Sequence, residues 1–311
     1  MREPANPNAA FAAIARGDVE HGFKLYERCL RGDYLPDAPA GLHAGMLDEA
    51  GRFEEAERLR ALAVKYSGDL ATRAGSFLGA KPEDAAREYE ALFERGLINS
   101  RMIHKYLQAL ANSGQMERHA RVMAPGQLFE LVSLDRSLAR DVDRMLLEME
   151  DRAEEQEAVQ SVRNMRMLSG LSKAEHPAAQ ALIAEITTHT RDYLRRWQSS
   201  DHPFAHLVSD EMQIKAWGLI SRGEGYNIPH IHGEGWATGV FYPRKIEGRG
   251  GELVIGPPKN VGGSKDDWGY REVRPKAGLL VLMPSFYTHW TVPLEKTGIR
   301  TSVAFDVVRE A

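Results

Sequence analysis

Apolar residues recur at helical spacing through the first two thirds of the chain and at strand spacing through the last third. Residues 9–121 and the stretch between Met123 and Ser200 both read as helix. Within Ala139–Val159, Met145, Leu146, Leu147 and Met149 form a partial apolar face on an otherwise charged segment. Further on, HPAAQALIAEITTHTRDYLRRW places Leu182, Ile183, Ile186, Tyr193, Leu194 and Trp197 on an amphipathic helix. Asp201-His202-Pro203 closes that helix, because the residue before a proline is pushed out of the α region. Its expected task is to cover one face of the sheet that follows. After Asp210 the runs shorten: MQIKAWGLIS, GWATGVFYP, GELVIGPP, GYREVRP, GLLVLMPSF, HWTVPL and IRTSVAFDVV, separated by Gly and Pro clusters. Short strands with no helical pattern between them predict an all-β sandwich or barrel. A jelly roll suits their number, with an interior able to hold one small ligand.

A weak repeat runs through the helical front. Gly17 and Gly51 open similar registers, followed by small Gly22 and Ala56 and then the apolar pairs Cys29-Leu30 and Ala63-Val64. Near Ala80 the register returns with Ala85 and Leu92-Phe93, and Gly114 opens a frayed fourth copy in which His119 replaces the small residue. A small residue at that position lets two antiparallel helices approach closely. A period of helix pairs this long resembles tetratricopeptide repeats, although the copies are uneven and most consensus aromatics are missing. The expected organisation is an α+β multidomain chain. It comprises a tetratricopeptide-like helical domain over 1–124, a helical connector over 125–160, and a C-terminal double-stranded β-helix (jelly roll) with its supporting helix over 161–311. The helical array is expected to bind a peptide or protein partner, to self-associate, or to act as a structural arm.

Composition sharpens the division. Of 28 glycines in 311 residues, 15 lie from Trp217 onward, with four of the five tryptophans. A formal net charge of −4 disfavours nucleic acid as a partner. The single cysteine, Cys29, can form neither an internal disulfide nor a cysteine-based zinc site, and it fits a reducing cytoplasm. No apolar run is long enough to span a membrane, and MREPANPNAAFAAIARG has no apolar h-region, so it is expected to be an ordinary helix start.

Candidate chemistry is confined to the strand-rich part. Eight of the 11 histidines (His21, His43, His104, His119, His176, His189, His202 and His206) are scattered at positions that suggest packing or surface roles. His230 and His232 alternate by two in NIPHIHGEG, so on an extended strand they project from one face. His289 follows MPSFYT at another strand end. If their strands are neighbours, three neutral imidazoles can hold Fe(II), Cu(II), Ni(II) or Zn(II). Otherwise the pair hydrogen-bonds along a strand edge and His289 is a loop residue.

The order of motifs resembles the 2-oxoglutarate- and Fe(II)-dependent oxygenases, in particular a bacterial branch that joins this domain to tetratricopeptide repeats. The matching segments are Pro229–Gly233, Gly239–Pro243, Gly251–Pro258, Pro275–His289 and Arg300–Asp306. The resemblance implies His230, His232 and His289 as iron ligands and catalytic centre. It also implies Arg300, Ser302 and Tyr242 as 2-oxoglutarate contacts, with O2 as the second cosubstrate. A guanidinium matches a carboxylate bidentately, and Ser302 shares a strand face with Arg300. The position that is usually Asp is His232, so the triad is all-histidine unless Glu234, in His232-Gly233-Glu234, takes that place. Candidate substrate contacts are Tyr226, Asn227, Trp236 and Trp290, with Trp217 and Phe286 also near the expected pocket mouth. The loop GPPKNVGGSKDDWGY is either a lid or an ordinary connection. The implied reaction is hydroxylation of a C–H bond in a peptide, protein or amino-acid-like substrate, with 2-oxoglutarate converted to succinate and CO2. Two rivals stand beside it: an inactive repeat-plus-barrel binding protein, and a cupin-type metal enzyme that does not use 2-oxoglutarate.

Overall fold

Eleven consecutive residues, Ile299–Arg309, form one of the two longest strands of the C-terminal region and organise the rest around it. In this computed structural model, which describes residues 7–30, 43–48, 50–67, 75, 78–79, 81–159, 161–198, 200–208, 211–233, 235–295 and 298–309, the chain divides into two compact units, Met1–Leu97 and Ile98–Ala311.

The first unit is helical: α1 (Pro7–Ala15), α2 (Val19–Leu30), α3 (Phe53–Ser67) and α4 (Pro82–Glu94). Ala10, Ile14, Phe23, Tyr26, Leu47 and Leu59 form its core. Gly22 of α2 packs against the backbone of α1 so closely that any side chain would collide with Ala10 and Ile14. Ala56 and Ala85, at the equivalent places in the sequence register, are fully buried. Ala80 lies outside the described residues.

The second unit opens with α5 (Ser100–Asn112) and α6 (Met116–Met123). Both belong to the second compact unit, which starts at Ile98, whereas the helical repeat domain was expected to run to 124. Asn99 caps α5 by accepting from the Met102 amide. The helical reading of 125–200 needs a larger correction. Strands β1 (Glu130–Ser133), β2 (Glu154–Val159) and β3 (Val162–Leu168) interrupt it, on either side of α7 (Arg136–Glu148) and ahead of α8 (Pro177–Arg195). The reason is local. In β3 the buried residues are Val162, Met165 and Leu168, three apart like a helix face. Asn164 has a positive φ of 51° and breaks the two-residue alternation.

The remaining strands are β4 (Met212–Arg222), β5 (Tyr226–Asn227), β6 (Ala237–Tyr242), β7 (Leu253–Ile255), β8 (Arg271–Val273), β9 (Leu279–Pro284), β10 (His289–Thr291) and β11 (Ile299–Arg309). The larger sheet runs β1-β9-β6-β11-β4-β3-β2, with β5 also paired to β3; the smaller runs β10-β7-β8. All pairings are antiparallel. Strand β11 pairs with β4 over its whole length and with β6 over Val303–Val307. That register decides which residues see which face, since a one-residue slip would exchange the two faces. Thr301, Val303, Phe305 and Val307 are fully buried on one side. On that side Thr301 donates to Asp143 of α7 at 2.6 Å, and Arg244 donates to the same carboxylate at 2.8 Å. Helix α7 lies against β4, and α8 packs on α7. Gly239 of β6 leaves room for the Phe305 ring and the Val281 carbonyl, which a methyl group would strike. No helix among the described residues is long and apolar enough to cross a membrane.

The loop between β7 and β8 is fastened in place. Trp268 is buried, donates from Nε1 to the Gly262 carbonyl at 2.9 Å, and sits edge-on to His119 of α6. Asn112 at the end of α5 accepts from the Gly262 amide at 2.8 Å. These contacts make it an ordinary connection, not a lid.

His119 is fully buried with neither ring nitrogen paired. Burial holds its pKa down to about 4, as it does for His104. Both rings are therefore neutral in the folded chain, while the unfolded chain takes up protons below about 6.5. Their contribution is intact above pH 6.5 and is lost as pH falls toward 4, by up to about 3 kcal/mol for each ring. His119→Phe keeps the contact with Trp268 and removes two unpaired polar atoms. We expect it to raise the melting temperature at pH 8 by a few degrees and to flatten the acid limb of the stability curve; an unchanged acid limb would count against this reading.

Candidate metal and cosubstrate site

Two separate segments bring the three histidines together. After β5, Pro229 leads into an extended stretch in which His230 and His289 exchange backbone hydrogen bonds, at 3.1 and 3.0 Å. The His232 amide donates to the Ser285 carbonyl at 3.0 Å. This ties the H-x-H segment along the chain that enters β10, so the expected convergence occurs. One nitrogen from each ring falls within a group spanning at most 4.8 Å. The ring centroids are 4.3 Å apart for His230–His289, 5.0 Å for His230–His232 and 5.1 Å for His232–His289.

The outer nitrogens are engaged. His230 Nδ1 lies 2.7 Å from the Ile228 carbonyl, and His289 Nδ1 lies 3.0 Å from the Tyr287 carbonyl. A carbonyl only accepts, so Nδ1 carries the proton in both rings and Nε2 presents its lone pair. His232 Nδ1 stands 2.8 Å from Asp306 Oδ1. Burial lowers the pKa of His230 to about 4 and that of His289 well below the ordinary value, each further lowered by its neighbouring imidazoles. Neutral imidazoles are the protonation state a cation needs. The donor set is three borderline nitrogens with no thiolate, which fits Fe(II) among other transition ions.

Helix α5 braces both histidine segments. Ser100 donates to the Gly235 carbonyl at 2.6 Å, and His104 donates from Nδ1 to the Phe286 carbonyl at 3.1 Å while accepting from Gln108 at Nε2. Tyr287 donates from its hydroxyl to the Met123 carbonyl. These braces are invisible in the sequence, where α5 reads as one more amphipathic helix.

On β11, Arg300, Ser302, Ala304 and Asp306 share the face opposite the helix-covered one. Arg300 is only 2% exposed, yet among the described residues it meets no carboxylate. Its Nη2 lies 3.2 Å from the weak acceptor Sδ of Met165, and Nη1 has no partner. Ser302 is buried two residues on. Tyr242 is buried close enough for its field to act on Arg300, and burial pushes its own pKa up to about 12. Between the guanidinium and the triad lies an apolar patch with Met165 and Leu219 at its core and Met167, Trp217 and Ala304 packed on it. Trp217 stacks on His232, with 6.1 Å between ring centroids. An unpaired buried guanidinium is a preformed seat for a carboxylate, which is the feature 2-oxoglutarate requires.

The other expected site residues divide. Tyr226 and Asn227 form β5, which adjoins β10, and the Asn227 amide donates to Thr291 Oγ1 at 2.8 Å. Trp236 is buried at the head of β6, and Phe286 is buried before β10. Trp290 follows His289 on a strand, so its side chain leaves from the opposite face, where its ring lies over Gly256. That placement removes it from the triad side. Glu234 lies outside the described residues. Two residues received no individual role from the sequence: Met165, on a strand read as helix, and Asp306, whose place two and three steps beyond Ala304 and Val303 on an alternating strand was the available signal.

Residues 215–306 match a family model described as "Putative 2OG-Fe(II) oxygenase". No curated protein matches the chain. Among solved structures, a Pseudomonas putida prolyl-4-hydroxylase aligns at 15% identity over 62% of this chain and 99% of its own, with a TM-score of 0.46. A viral collagen prolyl hydroxylase from Paramecium Bursaria Chlorella virus-1 aligns at 14% identity over 58% and 96%, TM-score 0.42. HygX from Streptomyces hygroscopicus, with nickel and 2-oxoglutarate bound, aligns at 14% over 59% and 84%, TM-score 0.41. These likenesses are distant, and the assignment rests on the family match. Because that match covers the very strands on which the triad and the buried guanidinium stand, the C-terminal unit is a 2-oxoglutarate-dependent oxygenase that uses Fe(II) and O2.

Proposed function

We propose that the protein hydroxylates a C–H bond of a peptide, protein side chain or amino-acid-like substrate, with His230, His232 and His289 holding the iron. Arg300 seats the distal carboxylate of 2-oxoglutarate, with Ser302 and Tyr242 beside it. The observation that supports this reading most directly is the buried Arg300 guanidinium with Nη1 unpaired. Iron, when bound, supplies the oxidising chemistry that couples 2-oxoglutarate decarboxylation to substrate hydroxylation. The chain's residues do the rest. Backbone carbonyls hold the protons of His230 and His289 on Nδ1, so both rings are ready ligands without rearrangement. Arg300 orients the cosubstrate through a two-pronged contact, and Met165, Leu219 and Trp217 keep water from the space beside it.

Tyr226 and Asn227, next to β10, are the polar side chains nearest the mouth in this reading. The tetratricopeptide-like array of the first unit would present a peptide or protein partner, in a cytoplasmic protein of the bacterial repeat-fused branch. The test is direct. Fe(II) and 2-oxoglutarate added without oxygen should produce a weak metal-to-ligand charge-transfer band, and admitting air should yield succinate. A protein giving neither would be the inactive binding scaffold, and one that binds Fe(II) without the band would be the cupin-type enzyme.

A further inference from the structure

Asp306 is an acidic side chain in an unusual place. It lies on β11 with a side chain 21% exposed, and its Oδ1 is 2.8 Å from His232 Nδ1. That oxygen is buried and, the contact with this ring nitrogen apart, has no polar partner. Lys215 is directly opposite in register on β4. Even so, among the described residues Asp306 forms no ion pair with lysine or arginine; its only charge partner is the histidine. Its field also reaches His230. It is not a member of the group of nitrogens that converge within 4.8 Å. The carboxylate therefore stands directly behind one ring of the triad, not among its converging nitrogens.

We infer that Asp306 is a positioning residue that acts through His232, returning to the all-histidine site the negative charge that a directly ligating carboxylate would have supplied. The inference rests on the metal-site reading above. A carboxylate at Nδ1 fixes the tautomer that presents Nε2, orients the ring and makes it a stronger donor; removing such partners typically weakens metal binding about 10- to 100-fold. It also places a negative charge where it favours the higher oxidation state of a bound iron. The same strand would then serve both ends of the pocket, with Arg300 near one end and Asp306 behind the metal at the other.

Co(II) titrated into the full-length protein, with affinity measured by chelator competition, gives a readout independent of turnover. Wild type should bind one equivalent. Asp306→Asn, nearly isosteric, should still bind one equivalent about 10- to 100-fold more weakly, and Asp306→Glu should recover most of the loss, as a merely structural role would not. The Fe(III)/Fe(II) potential of the iron-loaded Asp306→Asn protein should rise above that of wild type. Unchanged affinity and unchanged potential in Asp306→Asn would overturn the inference. So would full stoichiometry in His232→Ala with none in Asp306→Asn, which would make the carboxylate itself the ligand. A wild type that takes up no Co(II) would overturn the metal-site reading, and this inference with it.

Discussion

Arg300→Met should abolish 2-oxoglutarate binding and at the same time make the cosubstrate-free protein more stable. The two effects share one cause. The wild-type guanidinium is 2% exposed, its pKa is lowered by desolvation, and its Nη1 has no partner. Taking an unpaired charge out of water costs several kcal/mol, and replacing even paired buried charges by well-packed apolar side chains is often neutral or stabilising by about 1–4 kcal/mol. For a folding unit of this size each kcal/mol moves the melting temperature by about 2–4 °C, so a rise of several degrees is expected. In exchange the cosubstrate loses its counter-ion. Truncating one partner of a buried charged pair costs about 2–5 kcal/mol, so 2-oxoglutarate affinity should fall at least about 30-fold. Thermal melts with and without 2-oxoglutarate check both halves. Wild type should be stabilised by the ligand, whereas the variant should start higher and gain nothing. Arg300→Lys should restore little, since an ammonium cannot make the planar two-pronged contact. A variant that is less stable without ligand, or that binds 2-oxoglutarate as well as wild type, would remove Arg300 from this role.

The second large effect is loss of the metal. His289→Ala and His230→Ala should each lower bound Fe(II) or Co(II) from about one equivalent to near zero after dialysis and abolish succinate formation. Deleting a ligand leaves two imidazoles, and the loss should exceed the 10- to 100-fold typical of removing a partner behind a ligand. Folding should survive, because the link between the two segments is made by main-chain groups that alanine retains. Metal content by elemental analysis and the far-ultraviolet circular dichroism spectrum together separate a lost ligand from a lost fold. Full metal content in His289→Ala would refute the triad. Arg300→Met should keep its metal, so the two predictions fail independently.

Strand chemistry was legible wherever the alternation was undisturbed. The parity of His230 with His232, and of Arg300 with Ser302, follows from the two-residue period, and the structure keeps it. Legibility failed where that period was broken or irrelevant. Strand β3 hides behind its three-residue spacing and the positive φ of Asn164, and β2 is a polar EEQEAV segment paired only to β3 at the end of the sheet. Helix α5 has an ordinary amphipathic pattern, and nothing in such a pattern says which partner its apolar face meets. Trp290 was readable in principle: its neighbour His289 points at the site, so on a strand its own ring must point away. Asp306 was readable as a strand residue but not as the partner of a ring more than seventy positions earlier, which only the closed sheet reveals.

The position of β11 also has a bearing on how the domain comes into being. It is the last described strand in sequence, yet it lies inside the larger sheet, hydrogen-bonded to β4 on one side and β6 on the other. Before residue 309 has left the ribosome, β4 and β6 are two unpaired edges separated by a missing strand. The larger sheet cannot be completed, and the Arg300 seat cannot form, during most of synthesis. Closure joins residues far apart along the chain, the kind of contact that makes folding slow and leaves edges exposed to wrong partners meanwhile. A chain terminated between His289 and Ile299 would retain all three histidines and still lack the strand that joins β4 to β6 and carries Arg300.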